Sequence, residues 1–127
     1  NVEGIFAQYL FAVPAVKGIA FGAGFGLAAM RGSEANDPFC MEGEKIATVT
    51  NHAGGVNGGI TNGMPVEFEV VFRPTSSISK KQQTVSLSRR EEAELVVEGR
   101  HDPCVVLRGV PVVESAAALA ACEVLGI

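Results

Sequence analysis

The sequence predicts an α+β fold, because helical and strand periodicities occur in separate stretches of the same chain. Apolar residues recur at helical spacing over residues 2–13. Residues 65–73 instead alternate between inward and outward side chains, which is typical of a strand with one buried face. Residues 112–124 are apolar almost all round and indicate a buried helix. At 127 residues, the chain is long enough for one domain with a modest core.

The first helix carries one apolar stripe. It is predicted to end before Pro14, because the residue preceding a proline avoids the α region. The stripe consists of Val2, Ile5, Phe6, Tyr9, Leu10 and Val13. Since the helix starts at the first residue with no lead-in, we expect the chain to be part of something longer.

A short strand is predicted over residues 16–21, with alternate side chains on opposite faces. One face takes Val16, Gly18 and Ala20, and the other takes Lys17, Ile19 and Phe21. The glycines of residues 22–26 resemble a dinucleotide-binding fingerprint only superficially, because the third is misplaced and no βαβ unit follows. Residues 27–30 indicate a helical turn, and residues 31–37 a polar loop or a short capped helix.

Turns and strands alternate through the middle of the chain. Residues 41–44 are turn-like, and residues 45–50 are predicted to form a strand that leads into two glycine pairs. The strand at 65–73 follows. Residues 82–87 and 93–98 are predicted to form a hairpin, because adjacent valines favour a strand for the second segment.

The last element is predicted to be a helix with Pro111 at its first position, where the missing N–H costs no hydrogen bond. Gly126 is expected to close this helix in the left-handed conformation.

Charge and cysteine content exclude several classes of protein. The net charge is −4, and the Lys80-Lys81 and Arg89-Arg90 pairs are too few for a nucleic-acid surface. No apolar run is long enough to span a bilayer, and the first residues lack the basic region of a signal peptide. The three cysteines match no metal-binding spacing and favour a reducing, cytoplasmic setting.

A candidate anion site follows the predicted strand at 65–73. The pairs Gly54-Gly55 and Gly58-Gly59 lack Cβ atoms and would let a ligand approach the backbone. Arg73 offers a fork of donors that matches phosphate oxygens, and Thr75 to Ser77 add hydroxyl and amide donors. The combination predicts a phosphate-bearing ligand. The alternative is a hairpin with glycine turns beside a polar loop.

A second polar cluster runs from Gly99 to Pro103 and contains an arginine, a histidine and an aspartate in sequence. It is either part of a catalytic site or a turn whose aspartate caps the following segment.

Together these stretches resemble the C-terminal part of the chorismate synthase family. The strings occur in the family's order and spacing over nearly the whole chain. They are PAVKGIAFGAGF at 14–25, RGSEAND at 31–37, TNHAGGVNGGITNG at 50–63, FRPTSSI at 72–78, QQTV at 82–85 and GRHDPCVV at 99–106.

The resemblance implies an enzyme that converts 5-enolpyruvylshikimate 3-phosphate to chorismate and phosphate by 1,4-elimination, with reduced FMN as cofactor. It implies a β-α-β sandwich of antiparallel strands around helices, a homotetramer and a role in aromatic amino-acid synthesis. The family's two catalytic histidines belong to its N-terminal part, so His52 and His101 do not take those roles. We therefore expect residues 1–127 to be inactive alone.

Carried over by position, the implied FMN contacts are Pro14, Ala15, Gly58, Arg73, Pro74, Thr75, Ser76, Ser77 and Arg100. Many members have Asn in place of Pro14 and Lys in place of Arg73, and the second change alters phosphate-binding geometry. Leu107 and Gly109 replace the more usual Pro and Ala.

The resemblance also places Asp102 near N5 of the flavin, where its carboxylate would accept a proton. The neighbouring Arg100 would favour the charged form of that carboxylate. Two other functions stay open on the residues alone: a stand-alone phosphate- or nucleotide-binding module, and a structural domain whose glycines serve packing.

Overall fold

The computed structural model describes all residues from Asn1 to Ile127. It contains three α-helices and one 3₁₀ helix: α1 (Val2–Phe11), the 3₁₀ helix (Gly24–Ala29), α2 (Gly32–Ala35) and α3 (Val106–Leu125). The eight strands are β1 (Val16–Phe21), β2 (Phe39–Glu42), β3 (Lys45–Thr48), β4 (Val56–Asn57), β5 (Ile60–Thr61), β6 (Phe68–Phe72), β7 (Gln82–Ser86) and β8 (Glu91–Leu95).

The strands form four separate two-stranded antiparallel sheets: β1 with β6, β2 with β3, β4 with β5, and β7 with β8. This mixture of helices and antiparallel strands confirms the predicted α+β class. The predicted hairpin is also confirmed, since β7 and β8 pair from Gln82 with Leu95 to Ser86 with Glu91. Its second strand begins two residues earlier than predicted.

The core lies between α1, α3 and the β1–β6 sheet. Val2, Phe6 and Leu10 are spaced four apart, so all three side chains lie on one face of α1 and are buried there. The Phe6 ring packs edge-on against Phe21 and Phe68, with ring centroids 6.5 Å and 5.7 Å away. Only 11 of 127 residues are buried, so this core is small.

A β-bulge changes the faces of β1. Val16 pairs with Phe72, but Gly18 pairs with Val71, so Lys17 is an extra residue without a partner. The bulge reverses the alternation, and Val16, Ile19 and Phe21 all face the core. The prediction that Val16 lies opposite Ile19 and Phe21 was therefore wrong.

Helix α3 differs from the prediction at its start and in its burial. It begins at Val106, so Pro111 lies inside the helix rather than at its first position. Gly109 and Ala120 are its only buried residues, and the prediction of a buried helix holds for one face only. Apolar side chains exposed on the remaining surface are Val106, Leu107, Val110, Val112, Leu119 and Leu125. Gly126 ends the helix at φ 72°, as predicted.

Shorter elements adjust the remaining boundaries. The turn predicted at 41–44 is wrong for its first half, because Met41 and Glu42 pair with β3. Residues 22–26 enter the 3₁₀ helix, and the short-helix alternative for 31–37 is correct. The Glu34 carboxylate accepts a hydrogen bond from the backbone N–H of Arg31 at 2.7 Å and so stabilises the start of α2. No helix combines the length and apolarity needed to cross a membrane.

Candidate functional site

The segment that follows β6 lines a cavity of about 380 Å³ at the end of the β1–β6 sheet. We call it the cationic cavity, and its lining is Ala15, Lys17, Arg73, Pro74, Thr75, Ser76, Ser77 and Val105. The backbone N–H of Arg73 donates to the Ala15 carbonyl at 2.7 Å and thereby joins the segment to the entry of β1. Six of the predicted FMN contacts therefore lie together.

Two cations line this cavity, and no carboxylate does. The ion pairs of the chain are His52–Asp37, Lys81–Glu94, Arg89–Glu91 and Arg108–Asp102. Lys17 and Arg73 take part in none of them. The hydroxyls of Thr75, Ser76 and Ser77 also form no hydrogen bond within the chain. The cavity thus offers positive charge and free donors, which together match an anion.

A second cavity of about 380 Å³ adjoins the first, because both share Pro74 and Thr75. We call it the Asp102 cavity, and its lining is Pro74, Thr75, Ile78, Ser79, Gly99, His101, Asp102 and Pro103. The two predicted polar clusters, at 73–77 and 99–103, are therefore adjacent in space although they are far apart in sequence.

Asp102 pairs with a cation that the sequence did not suggest. The Nη1 atom of Arg108, in the first turn of α3, lies 3.1 Å from Oδ2 of Asp102. Arg100 makes no ion pair with this carboxylate, so its role beside Asp102 stays a prediction. Asp102 accepts no backbone hydrogen bond, and α3 has no side-chain cap at its start. The capping alternative is therefore not what the structure shows.

His101 is held by its own loop. Its Nε2 atom lies 3.0 Å from the Val97 carbonyl, just after β8. This contact fixes the imidazole at the wall of the Asp102 cavity.

A different carboxylate organises the glycine loop, which we define as residues 51–59. Oδ1 of Asp37 accepts hydrogen bonds from the Thr50 hydroxyl at 2.7 Å and the His52 N–H at 2.8 Å. Oδ2 accepts from the Ala53 N–H at 2.8 Å. The Asp37 side chain is only 4% exposed. Burial by itself would raise the pKa of Asp37, but the hydrogen bonds from Ala53, Thr50 and His52 outweigh it and lower that pKa.

Three glycines let backbone segments pack in direct contact here. A Cβ on Gly22 would lie 2.1 Å from the His52 carbonyl oxygen. A Cβ on Gly54 would lie 2.4 Å from the Gly22 nitrogen, and a Cβ on Gly55 would lie 2.3 Å from the Pro65 carbonyl oxygen. The prediction that Gly54 and Gly55 receive a ligand is therefore wrong, because chain atoms already fill that space.

Gly58 is different, since a Cβ there would meet nothing within 4 Å. Gly58 and Gly59 form the two-residue turn between β4 and β5, with φ values of 60° and 82°. The Gly59 carbonyl accepts from the N–H of Val2, so the turn lies at the start of α1. The cationic cavity lies at the other end of this ten-residue helix, about 15 Å along its axis.

The structure thus brings together Ala15, Arg73 to Ser77 and Asp102, and leaves Gly58 apart from them. Pro14 and Arg100 are exposed and line neither cavity, although each adjoins a residue that does. No three His, Cys, Asp or Glu side chains are arranged to hold a metal ion.

Sequence reasoning missed three charged residues. Lys17 was placed on a strand face, and only the bulge moves it to the cavity. Arg108 was passed over because the helix was predicted to begin after it. Asp37 was predicted to lie in a polar loop or short helix. Its hydrogen bonds reach residues 15 and 16 positions along the chain, and no local sequence pattern indicates such contacts.

Comparison with known proteins decides the family. The sequence profile described as chorismate synthase matches residues 1–125. The chain belongs to the chorismate synthase family. A chorismate synthase from Thermococcus kodakarensis is 52% identical over 118 residues, which cover 93% of this chain and 33% of the relative. One from Archaeoglobus fulgidus is 50% identical over 119 residues, covering 94% of this chain and 33% of that protein.

A solved structure gives the same result. A chorismate synthase crystal structure superposes with a TM-score of 0.56 and 36% sequence identity over 60% of this chain and 23% of that one. The chain spans about a third of the length of the chorismate synthases it matches.

Proposed function

We propose that this chain contributes part of the FMN and substrate site of a chorismate synthase. The reaction would convert 5-enolpyruvylshikimate 3-phosphate to chorismate and phosphate by 1,4-elimination. The observation that supports this most is the union of the cationic cavity and the Asp102 cavity through Pro74 and Thr75. One cavity suits a phosphate, and the other presents a carboxylate beside it. Relatives named chorismate synthase share about half of the residues in this stretch.

The residues of the cationic cavity are chemically suited to the phosphate end of FMN. Arg73 has no carboxylate partner, so its guanidinium is free to donate two parallel hydrogen bonds to phosphate oxygens. Thr75, Ser76 and Ser77 supply hydroxyl donors that nothing else in the chain uses. The cavity volume of about 380 Å³ falls within the range of small-ligand sites. Pro14, Gly58 and Arg100 stay predicted contacts of the same cofactor.

Asp102 would act as the proton acceptor. Its Oδ2 pairs with Arg108, while Oδ1 has no partner within the chain. A carboxylate held in this way keeps one oxygen directed for proton transfer. Bound reduced FMN would supply the electron density that the elimination requires. The Asp102 side chain is 42% exposed, so a ligand in this cavity can reach it.

The test is Asp102→Asn in the full-length protein that carries this chain. Asn preserves size but removes the base, so we expect kcat to fall by about 10² or more, with FMN and substrate affinities nearly unchanged. Turnover is measured anaerobically with reduced FMN. Glu98→Gln is the matched control, because Glu98 is a nearby exposed carboxylate outside both cavities. A near-normal kcat with a lower melting temperature would assign Asp102 a structural role.

The proposal extends to the assembled protein. We propose a homotetramer in the cytoplasm that functions in aromatic amino-acid synthesis, with NADPH as the source of electrons for the flavin. The cytoplasmic setting is supported by the three cysteines, which are unpaired here: Cys40, Cys104 and Cys122.

The alternative of a stand-alone phosphate-binding module makes a different prediction. Such a module would bind FMN or phosphate but would not catalyse turnover, and Asp102→Asn would leave that binding unchanged. Only the proton-acceptor role requires the carboxylate of the second cavity.

A further inference from the structure

The bulge in β1 places a second cation beside Arg73. Lys17 is the extra residue of the bulge and has no partner in β6. Val16, just before it, is 5% exposed and faces the core, whereas the Lys17 side chain is exposed and lines the cationic cavity. Bulges of this kind re-aim one side chain beside functional sites.

Two cations that share one cavity repel each other unless an anion lies between them. No Asp or Glu lines the cationic cavity, and neither Lys17 nor Arg73 forms an ion pair elsewhere. Five of the other eight Lys and Arg residues are also unpaired. Only this pair, however, lines a common cavity together with free hydroxyls. The shared position therefore sets them apart from ordinary surface charge.

We infer that Lys17 is a second phosphate-binding cation, and that it and Arg73 together hold the dianion of a phosphate monoester. Such a group carries a charge of about −1.5 to −2 near neutral pH, which two cations balance. Arg73 supplies a planar fork, while Lys17 supplies a mobile point charge on a flexible stem. This inference rests on the proposed function, since FMN and the substrate are both phosphate monoesters.

The decisive experiment compares ligands with and without the phosphate. Lys17→Met retains the apolar stem and removes the charge in the full-length protein. We expect its affinity for FMN to fall about five- to tenfold, with its affinity for riboflavin unchanged. Binding of 5-enolpyruvylshikimate 3-phosphate is measured in parallel. Lys45→Met is the matched control, because Lys45 is an exposed strand lysine outside every cavity and ion pair.

The outcomes separate the two sources of phosphate. Loss for FMN alone assigns the pair to the cofactor, and loss for the substrate alone assigns it to the substrate; either supports the inference. Unchanged affinity for both ligands, an equal loss for riboflavin, or an equal loss in Lys45→Met overturns it. Arg73→Ala is measured beside it. If Arg73→Ala weakens ligand binding and Lys17→Met does not, only the role of Lys17 is rejected. If neither variant weakens binding, the proposed phosphate site itself is rejected.

Discussion

The glycine loop and the cationic cavity look alike in sequence and behave oppositely in structure. Each joins a polar segment that is rich in glycine or hydroxyl residues to a charged side chain: Asp37 beside the loop, and Arg73 in the cavity. Beside the loop, the Asp37 side chain is buried and accepts three hydrogen bonds from the chain itself. In the cavity, Arg73 is exposed and has no partner. A charge that the fold already satisfies has a structural role, whereas a charge left unsatisfied is available to a ligand.

The same contrast applies to the glycines. Gly22 is required by a close backbone contact, while Gly58 has open space around it. Both have a positive φ, of 53° and 60°. The two positions therefore separate the cost of backbone strain from the cost of a collision.

Gly22→Ala is expected to have the largest effect. Its Cβ would collide with the His52 carbonyl, so the β1 end and the glycine loop must separate. We expect a loss of more than about 4 kcal/mol in the free energy of unfolding, which is most of a small domain's stability. Gly58→Ala keeps the strain without the collision and should cost about 1–2 kcal/mol. Denaturant unfolding measures both, and equal losses would contradict this assignment.

Asp37→Asn comes next. The amide group would present N–H donors to the backbone donors of the glycine loop, and we expect a loss of about 2–3 kcal/mol in the free energy of unfolding. The folded-state pKa of Asp37 is lowered, so its stabilisation is present above the unfolded pKa of about 4 and is lost as pH falls through the folded value. The variant should therefore lose less stability on acidification. An identical acid profile for both proteins would contradict this expectation.

Arg73→Ala tests the charge that has no partner within the chain. We expect about tenfold weaker binding of FMN or substrate, because a charge-assisted contact is worth roughly 1.5–3 kcal/mol. The melting temperature should stay the same, since the Arg73 side chain contacts no partner in the chain. Titration of the reduced flavin measures the affinity. A change below about twofold would favour the polar-loop alternative.

Gly109→Ala is expected to have the smallest effect. A Cβ there would lie 2.7 Å from the edge of the Phe72 ring, which must move aside. Alanine gains up to about 1 kcal/mol of helix propensity, so the two terms nearly cancel and stability changes by less than about 0.5 kcal/mol. Thermal unfolding and the resonances of the Phe72 ring measure the result. A loss above about 2 kcal/mol would show that the ring is fixed.

Much of the fold could be predicted from short-range signals. The four-residue spacing of Val2, Phe6 and Leu10 predicted α1, and alternation predicted β6. The residues around Arg73 were predicted as an anion site because charge and hydroxyls follow one another directly in sequence. Recognition of the family then linked them to Asp102, which periodicity alone could not do.

The remainder depends on contacts that no local pattern encodes. The bulge at Lys17 arises from pairing with β6, so alternation within β1 assigned the wrong faces. Helix α3 begins five residues before Pro111, which lies inside it. Its first turn places Arg108 beside Asp102, and the two side chains form an ion pair. The role of Asp37 could not be predicted, because it depends on residues 50–53 folding back over its side chain.

The four separate sheets have a consequence for local opening. Every strand keeps one edge whose N–H and C=O groups have no neighbouring strand, and two of the sheets, β2–β3 and β7–β8, contribute no residue to the small core. A hairpin of this kind opens without exposing much apolar surface, so its amides exchange with solvent through small fluctuations. Opening of β1, β6 or α1 exposes Leu10 and the aromatic cluster. The slowest-exchanging amides therefore lie in these three elements, beside the cavity that Arg73 lines.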